Sequence, residues 1–200
     1  ADIAASQAGL HNIYNILAVI CICISIGIDL KEVVNHLQNM VGAPGRLERI
    51  KSNKDFSVVV DYAHTDDALK NVLSAIKNLK PAKIITVFGC GGNRDKTKRP
   101  KMAKVACNMS DFVFITSDNP REEDPVEITK DVEAGAKEIN KINYKVVVDR
   151  KQAIEEAILA ANKNDVVLIA GKGHENYQII GRTKIHFDDR ETAFEILNRN

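Results

Sequence analysis

From Arg46 onward, short apolar runs alternate with longer segments of helical period. Residues 57–61, 83–88, 112–116, 145–148 and 165–170 are predicted strands. Most read as nearly continuous β-branched runs, as strands covered on both faces do. Residues 65–79, 98–109, 125–139 and 150–162 are predicted helices. Strands alternating with helices imply right-handed crossovers and a mainly parallel sheet. The end of the chain predicts a hairpin over 177–180 and 184–187, turned at Gly181-Arg182, and a closing helix over 189–198. The predicted class is therefore α/β: a mainly parallel sheet flanked by helices, with a terminal hairpin and closing helix.

Ahead of this region the pattern differs. Gly9-Leu10-His11-Asn12 precedes an apolar helical run through Ile24, and Asp29 is placed to cap a second helix reaching about Met40. Gly42-Ala43-Pro44-Gly45 is a breaker cluster, which separates a segment 1–41 from a domain 46–200. Two helices make a poor independent domain, so the segment reads as the tail of something longer. The apolar run 13–28 is broken by Asn15 and Ser25 and is short for a membrane span, so a buried helix is expected.

Composition narrows the class. The 200 residues are 44% hydrophobic and 28% charged, as in ordinary soluble globular chains. A net charge of +1 gives no footprint for nucleic acid or membrane. Ala1-Asp2-Ile3 carries no basic region, so no signal peptide is expected. Cys21, Cys23, Cys90 and Cys107 fit neither a zinc site nor a disulfide framework, which points to a reducing cytoplasm. All four are expected as core thiols.

The candidate chemistry gathers at the strand ends. These read Asp61-Tyr62-Ala63-His64-Thr65, Gly89-Cys90-Gly91-Gly92-Asn93-Arg94-Asp95, Ser117-Asp118-Asn119-Pro120-Arg121, Asp149-Arg150 and Gly171-Lys172-Gly173-His174-Glu175. In a parallel sheet all five share one edge, where α/β sheets bind ligands. Arg121 offers a fork for a carboxylate and Asp118 a counter-charge for an amine, so one loop can hold both signs of a zwitterion. Taken alone, the same loop reads as an Asx turn with a surface arginine. The glycine loop lacks the G-x-G-x-x-G spacing of dinucleotide sites, and no G-x-x-x-x-G-K-[ST] phosphate loop occurs. Arg94 is a site candidate because it sits in that loop. The lysines that follow it read as a solvated helix face, without the aromatics of nucleic-acid stacking. His64, near Asp61, is a candidate base or phosphate donor, or simply a turn histidine.

In order along the chain, His11-Asn12-Ile13-Tyr14-Asn15, Gly45-Arg46, the Asp61 to Thr65 run, Gly92-Asn93-Arg94-Asp95, Asp118-Asn119-Pro120-Arg121 and Gly171-Lys172-Gly173-His174-Glu175 resemble the Mur ligases of peptidoglycan synthesis. The resemblance covers the whole chain. It implies that 1–41 ends a central ATPase domain and that 46–200 is a Rossmann-like C-terminal domain. It implies an ATP-dependent amide ligation through an acyl phosphate, with UDP-N-acetylmuramoyl-dipeptide as acceptor and Mg²⁺ held mainly by the central domain. Asn12, Asn15, Arg46, Asp61 and His64 would then surround ATP. Arg94, Asp118, Asn119, Pro120, Arg121, Gly171 and Glu175 would form an amino-acid pocket, whose D-N-P-R form marks meso-diaminopimelate over lysine in this family. The phosphate loop and UDP-binding domain would lie upstream, so the fragment alone is expected to be inactive. Asp66, Asn93 and Thr97 depart from the family pattern, the last two beside Arg94. A non-catalytic amino-acid-binding module, a lysine-adding or folylpolyglutamate-type ligase, and a dinucleotide-binding protein are the competing readings.

Overall fold

A computed structural model of the chain describes residues 10–38, 42–139 and 143–199. They fall into two compact units that divide between Ala43 and Pro44.

The first unit is a helix pair, α1 (Leu10–Ser25) and α2 (Leu30–Gln38). Asp29 accepts the Lys31 N–H at 2.8 Å and so caps α2. The expected reach to Met40 lies outside the described residues. Ile16 and Ile20 pack against Val33 and Leu37. The expected buried helix is corrected here: Ile13, Tyr14, Leu17, Val19, Ile22 and Ile24 are all exposed. Apolar residues surround α1, whereas a single partner helix covers one stripe of it. Cys21 is exposed for the same reason and is not a core thiol.

The second unit carries a six-stranded sheet in the order β1-β2-β6-β3-β4-β5. Its strands are β1 (Glu48–Ile50), β2 (Ser57–Asp61), β3 (Ile84–Cys90), β4 (Phe112–Ser117), β5 (Tyr144–Val146) and β6 (Val166–Ala170). β2, β6, β3, β4 and β5 are mutually parallel, so the five polar strand ends do share one edge. β1 is an added antiparallel edge strand. Its three residues, Glu-Arg-Ile, are too short and too charged to read as a strand.

Continuous apolar strands imply cover on both faces, and the side chains divide accordingly. On β3, Ile84, Phe88 and Cys90 join one core with α3 (Asp66–Asn78), α4 (Lys98–Met109) and α5 (Pro125–Lys137). Ile85 and Val87 join the other, with α6 (Arg150–Leu159) and α7 (Asp189–Leu197). Side-chain caps from Thr65, Asp124, Asp149 and Asp188 start α3, α5, α6 and α7.

Two features position the ligand edge. The first is Arg150, at the start of α6. It is buried, makes a two-bond ion pair with Asp189 of α7, and donates to the carbonyls of Ser117 and Ala170, each at 3.1 Å. These are the last residues of β4 and β6. The second is the hairpin of β7 (Tyr177–Ile180) and β8 (Thr183–His186). It docks on the loop after β4: the Arg121 N–H donates to Ile179 O at 2.9 Å, and Gly181 N–H to Arg121 O at 2.7 Å. Among the described residues no helix is long and apolar enough to cross a membrane.

Candidate functional site

A cavity of about 370 Å³ opens at the C-terminal edge of the parallel strands. Each central strand contributes to its wall. Tyr62, His64 and Thr65 follow β2. Gly91, Arg94 and Lys98 follow β3. Asp118, Asn119 and Arg121 follow β4. Gly171 and Glu175 follow β6, and Tyr177 comes from β7. The lining carries both signs of charge, Arg94, Lys98 and Arg121 with Asp118 and Glu175.

Close backbone contact builds this wall. A Cβ on Gly92 would lie 1.9 Å from Pro120 O, and one on Gly91 would lie 2.9 Å from Arg121 Nη1. The glycine loop is therefore glycine-rich so that the loop after β4 can lie against it. Arg121 Nη1 donates to Gly92 O at 2.9 Å. Arg121 itself is in the left-handed region at φ 51°, a conformation that costs a non-glycine residue. Its two backbone bonds to the hairpin hold it there.

A family model described as "Mur ligase, glutamate ligase domain" matches residues 45–173. The chain belongs to the Mur ligase family. It is 52% identical over 189 residues to a UDP-N-acetylmuramoyl-L-alanyl-D-glutamate–2,6-diaminopimelate ligase of Fusobacterium nucleatum, covering 94% of this chain and 39% of the relative. A ligase of the same name from Clostridioides difficile is also 52% identical, over 96% of this chain and 39% of its own length. This Mur ligase chain thus spans about two-fifths of the curated relatives it matches. A solved structure of a ligase bearing that name superposes with a TM-score of 0.76 at 38% identity, covering 98% of this chain and 40% of the other. The Thermotoga maritima UDP-N-acetylmuramate-alanine ligase shares the fold at a TM-score of 0.72 and 22% identity, over 98% of this chain and 39% of that one.

In this Mur ligase chain, Arg94, Asp118, Asn119, Arg121, Gly171 and Glu175 all line the one cavity. Pro120 is buried behind them, with its carbonyl against Gly92. Asn119 is an organiser more than an open contact. Its Oδ1 accepts from Lys172 at 3.2 Å and from Ile179 N–H at 2.9 Å, while its Nδ2 donates to Glu175 at 3.0 Å. The loop is therefore not a free Asx turn with a surface arginine: Asp118 and Asn119 are buried and Arg121 is half-buried.

The nucleotide candidates are divided between the two units. Asn12 is buried and Asn15 exposed, both on α1 in the other unit. Arg46 lies 5.1 Å from the centroid of the Tyr62 ring, and the His64 ring packs edge-on to Tyr62 at 4.6 Å. Asp61 uses one carboxylate oxygen for the Ala63 N–H and the other for the Leu47 N–H, both at 2.8 Å. It thereby fixes the turn that carries Arg46 and His64. His64 Nδ1 sits 2.9 Å from Tyr62 O.

The surface reading of the lysines after Arg94 is corrected at Lys98, and the neighbouring Arg99 is buried as well. Lys98 is not on a solvated face: it lines the cavity and donates to His64 O at 3.1 Å. Arg99 is 1% exposed and bridges Glu123 and Asp131 at 3.0 and 2.8 Å. Sequence reasoning also passed over Tyr177 and Lys172. Burial, then the neighbouring Glu175 carboxylate, pushes the Tyr177 phenol above its ordinary pKa. Lys172 is fully buried. The one signal for it was a lysine set a single glycine beyond a wholly apolar strand. The departures from the family pattern have local roles. Asn93 takes a left-handed turn at φ 53°, Thr97 bonds to Asp95, and Asp66 opens α3 where an acidic side chain suits the helix dipole.

Proposed function

We propose that this chain is the C-terminal, amino-acid-binding part of an ATP-dependent ligase that joins meso-diaminopimelate to UDP-N-acetylmuramoyl-L-alanyl-D-glutamate in peptidoglycan synthesis, in the cytoplasm. The observation that carries it is one cavity lined by charges of both signs, Arg94, Lys98 and Arg121 with Asp118 and Glu175. A free amino-acid head is a zwitterion, and such a wall pairs both of its charges. Diaminopimelate has a second head that lysine lacks. The half-buried Arg121 is partly desolvated, so a ligand missing its partner carboxylate is disfavoured there. On this reading residues 46–200 form the C-terminal domain and residues 1–41 end the central ATPase domain.

The implied reaction transfers the γ-phosphoryl group of ATP to the glutamate side-chain carboxylate, forming an acyl phosphate. The amine of diaminopimelate attacks the acyl carbon, the C–N bond forms, the proton leaves the amine, and phosphate departs. The residues of this chain supply position: one zwitterionic head is held by the cavity, which leaves the amine at the other end free. Arg46 and His64, both packed against the Tyr62 ring, with Asp61 fixing their turn, are assigned to ATP along with Asn12 and Asn15. Among the described residues no group of three or more His, Cys, Asp or Glu side chains is placed to hold a metal ion. The family resemblance assigns Mg²⁺ mainly to the central domain. The chain by itself is proposed to bind without catalysing.

The test is an NMR titration with meso-diaminopimelate beside L-lysine. Shifts at Arg94, Asn119, Arg121 and Glu175 with diaminopimelate alone, abolished by Arg121→Ala, are expected. Equal shifts with lysine would assign the chain to another branch of the ligases. Silence with both ligands would remove the amino-acid reading of this cavity.

A further inference from the structure

Lys172 is fully buried at the end of β6, beneath the cavity and not in its lining. Its Nζ lies 3.2 Å from Asn119 Oδ1, 3.5 Å from Asp118 Oδ1 and 3.6 Å from Glu175 Oε2. The Tyr177 ring centroid is 5.6 Å away. Every one of these neighbours does line the cavity. The chain is shaped to put the lysine there. Gly171 (φ 119°) and Gly173 (φ 54°) flank it, and a Cβ on Gly173 would stand 2.6 Å from Tyr62 Cβ.

Counting charge explains why a lysine belongs in that place. Asp118 and Glu175 carry two negative charges on one wall, and Lys172 returns one positive charge. Arg150, another buried cation, is paired with Asp189, both side chains being fully buried, and it feels Asp118 and Glu175 only after Asp189. Among Asp118, Glu175 and Lys172 one negative charge is in excess, while the cations Arg94, Lys98 and Arg121 line the same cavity. A buried charge demands a partner. An ammonium group of the ligand satisfies it, and a second one finds nothing to pair with.

We propose that Lys172 is a positioning residue that determines specificity: an internal counter-cation that holds the Asp118–Glu175 pair at one excess negative charge, so that this part of the cavity takes one ligand ammonium and refuses another. The identity of the ligand rests on the amino-acid reading above, whereas the counter-cation role does not.

The two are separated by measuring stability and binding on the same variants. Without ligand, Lys172→Met leaves two carboxylates facing each other, and its Tm is expected to fall by about 10 °C. Adding Glu175→Gln removes the surplus charge while keeping an acceptor for Asn119, and should recover about half of that loss. If Lys172→Met does not fold, the double variant must restore folding. Additive losses, or a double variant that is also unfolded, would overturn the proposal.

With ligand, the preference for meso-diaminopimelate over 1,5-diaminopentane is read by calorimetry. It should drop about tenfold in Lys172→Met, because a doubly negative wall favours the dication, and return in the double variant. A lysine that merely filled space would weaken both ligands alike, and an unchanged ratio would overturn the specificity role. If the unaltered chain binds neither ligand while the stability coupling is present, the amino-acid reading falls and the counter-cation role stands.

Discussion

Replacing Asp189 by alanine tests whether the ligand edge hangs on one buried ion pair. Arg150 and Asp189 are both fully buried, with Nε–Oδ1 and Nη2–Oδ2 at 2.8 and 2.7 Å. Removing one partner of such a pair strands a charge in the interior, which costs about 3–5 kcal/mol. Arg150 would keep its bonds to the Ser117 and Ala170 carbonyls. The charge therefore stays in place with partial solvation, and the loss should sit near the lower figure. For a chain of this size each kcal/mol moves Tm by roughly 2–4 °C, so a fall of about 6–12 °C is expected. Glu122→Ala is the control. Its partner Arg182 is 93% exposed, and such surface pairs are worth about 0–1 kcal/mol. The double variant Arg150→Met/Asp189→Leu removes both charges and should recover most of the loss. The assay is thermal unfolding followed by circular dichroism, with amide shifts at Asp118 and Gly171, the residues next to the two gripped carbonyls. The reasoning fails if Asp189→Ala loses no more than Glu122→Ala, or if the double variant is as unstable as the single.

Two further outcomes are expected. The Glu123 carboxyl is held down to about 2, first by hydrogen bonds from Arg99 and then by the Asn93 N–H. Its folded value lies below its unfolded one, so its stabilisation is complete above about pH 4.5 and is lost as pH falls towards 2. Glu123→Gln should therefore be less stable than the parent at pH 6, with the gap closing by pH 2 in acid-unfolding curves, and a pH-independent gap would contradict this. Gly92→Ala drives a Cβ to 1.9 Å from Pro120 O, and should lower Tm and weaken diaminopimelate binding more than about tenfold. At Gly181 a Cβ meets nothing within 4 Å, so Gly181→Ala should cost only the roughly 1 kcal/mol of its left-handed φ and leave binding alone. Equal behaviour of the two variants in the binding titration would refute the close-approach reading.

Much of the fold was legible in the chain because burial on both faces leaves a strand no room for polar side chains. Residues 112–116 and 166–170 announce themselves in this way, and the parallel order follows from the helices between strands. Local chemistry was legible too: Asp29 caps α2 as its type and position predicted. What escaped was set by distant partners. Lys98 and Arg99 are adjacent and chemically alike, yet one lines the cavity and the other is buried between Glu123 and Asp131. Periodicity cannot tell them apart, because the difference lies in what another element presents. Arg121 adopts its left-handed turn because hairpin residues some 60 positions later hold its backbone.

The site divides along the same line. Sequence alone determined which residue types stand at the ends of the parallel strands, since a strand that ends abruptly in polar and glycine residues marks itself. Tertiary structure decided what each of them does. Asn119 ties Lys172 to Glu175, Asp61 spends both oxygens on backbone, and Lys172 stands below the wall it charges. A side chain's neighbours come from strands brought side by side by the sheet, and charge in a low-dielectric interior is governed by those neighbours and not by the residues next to it in the chain.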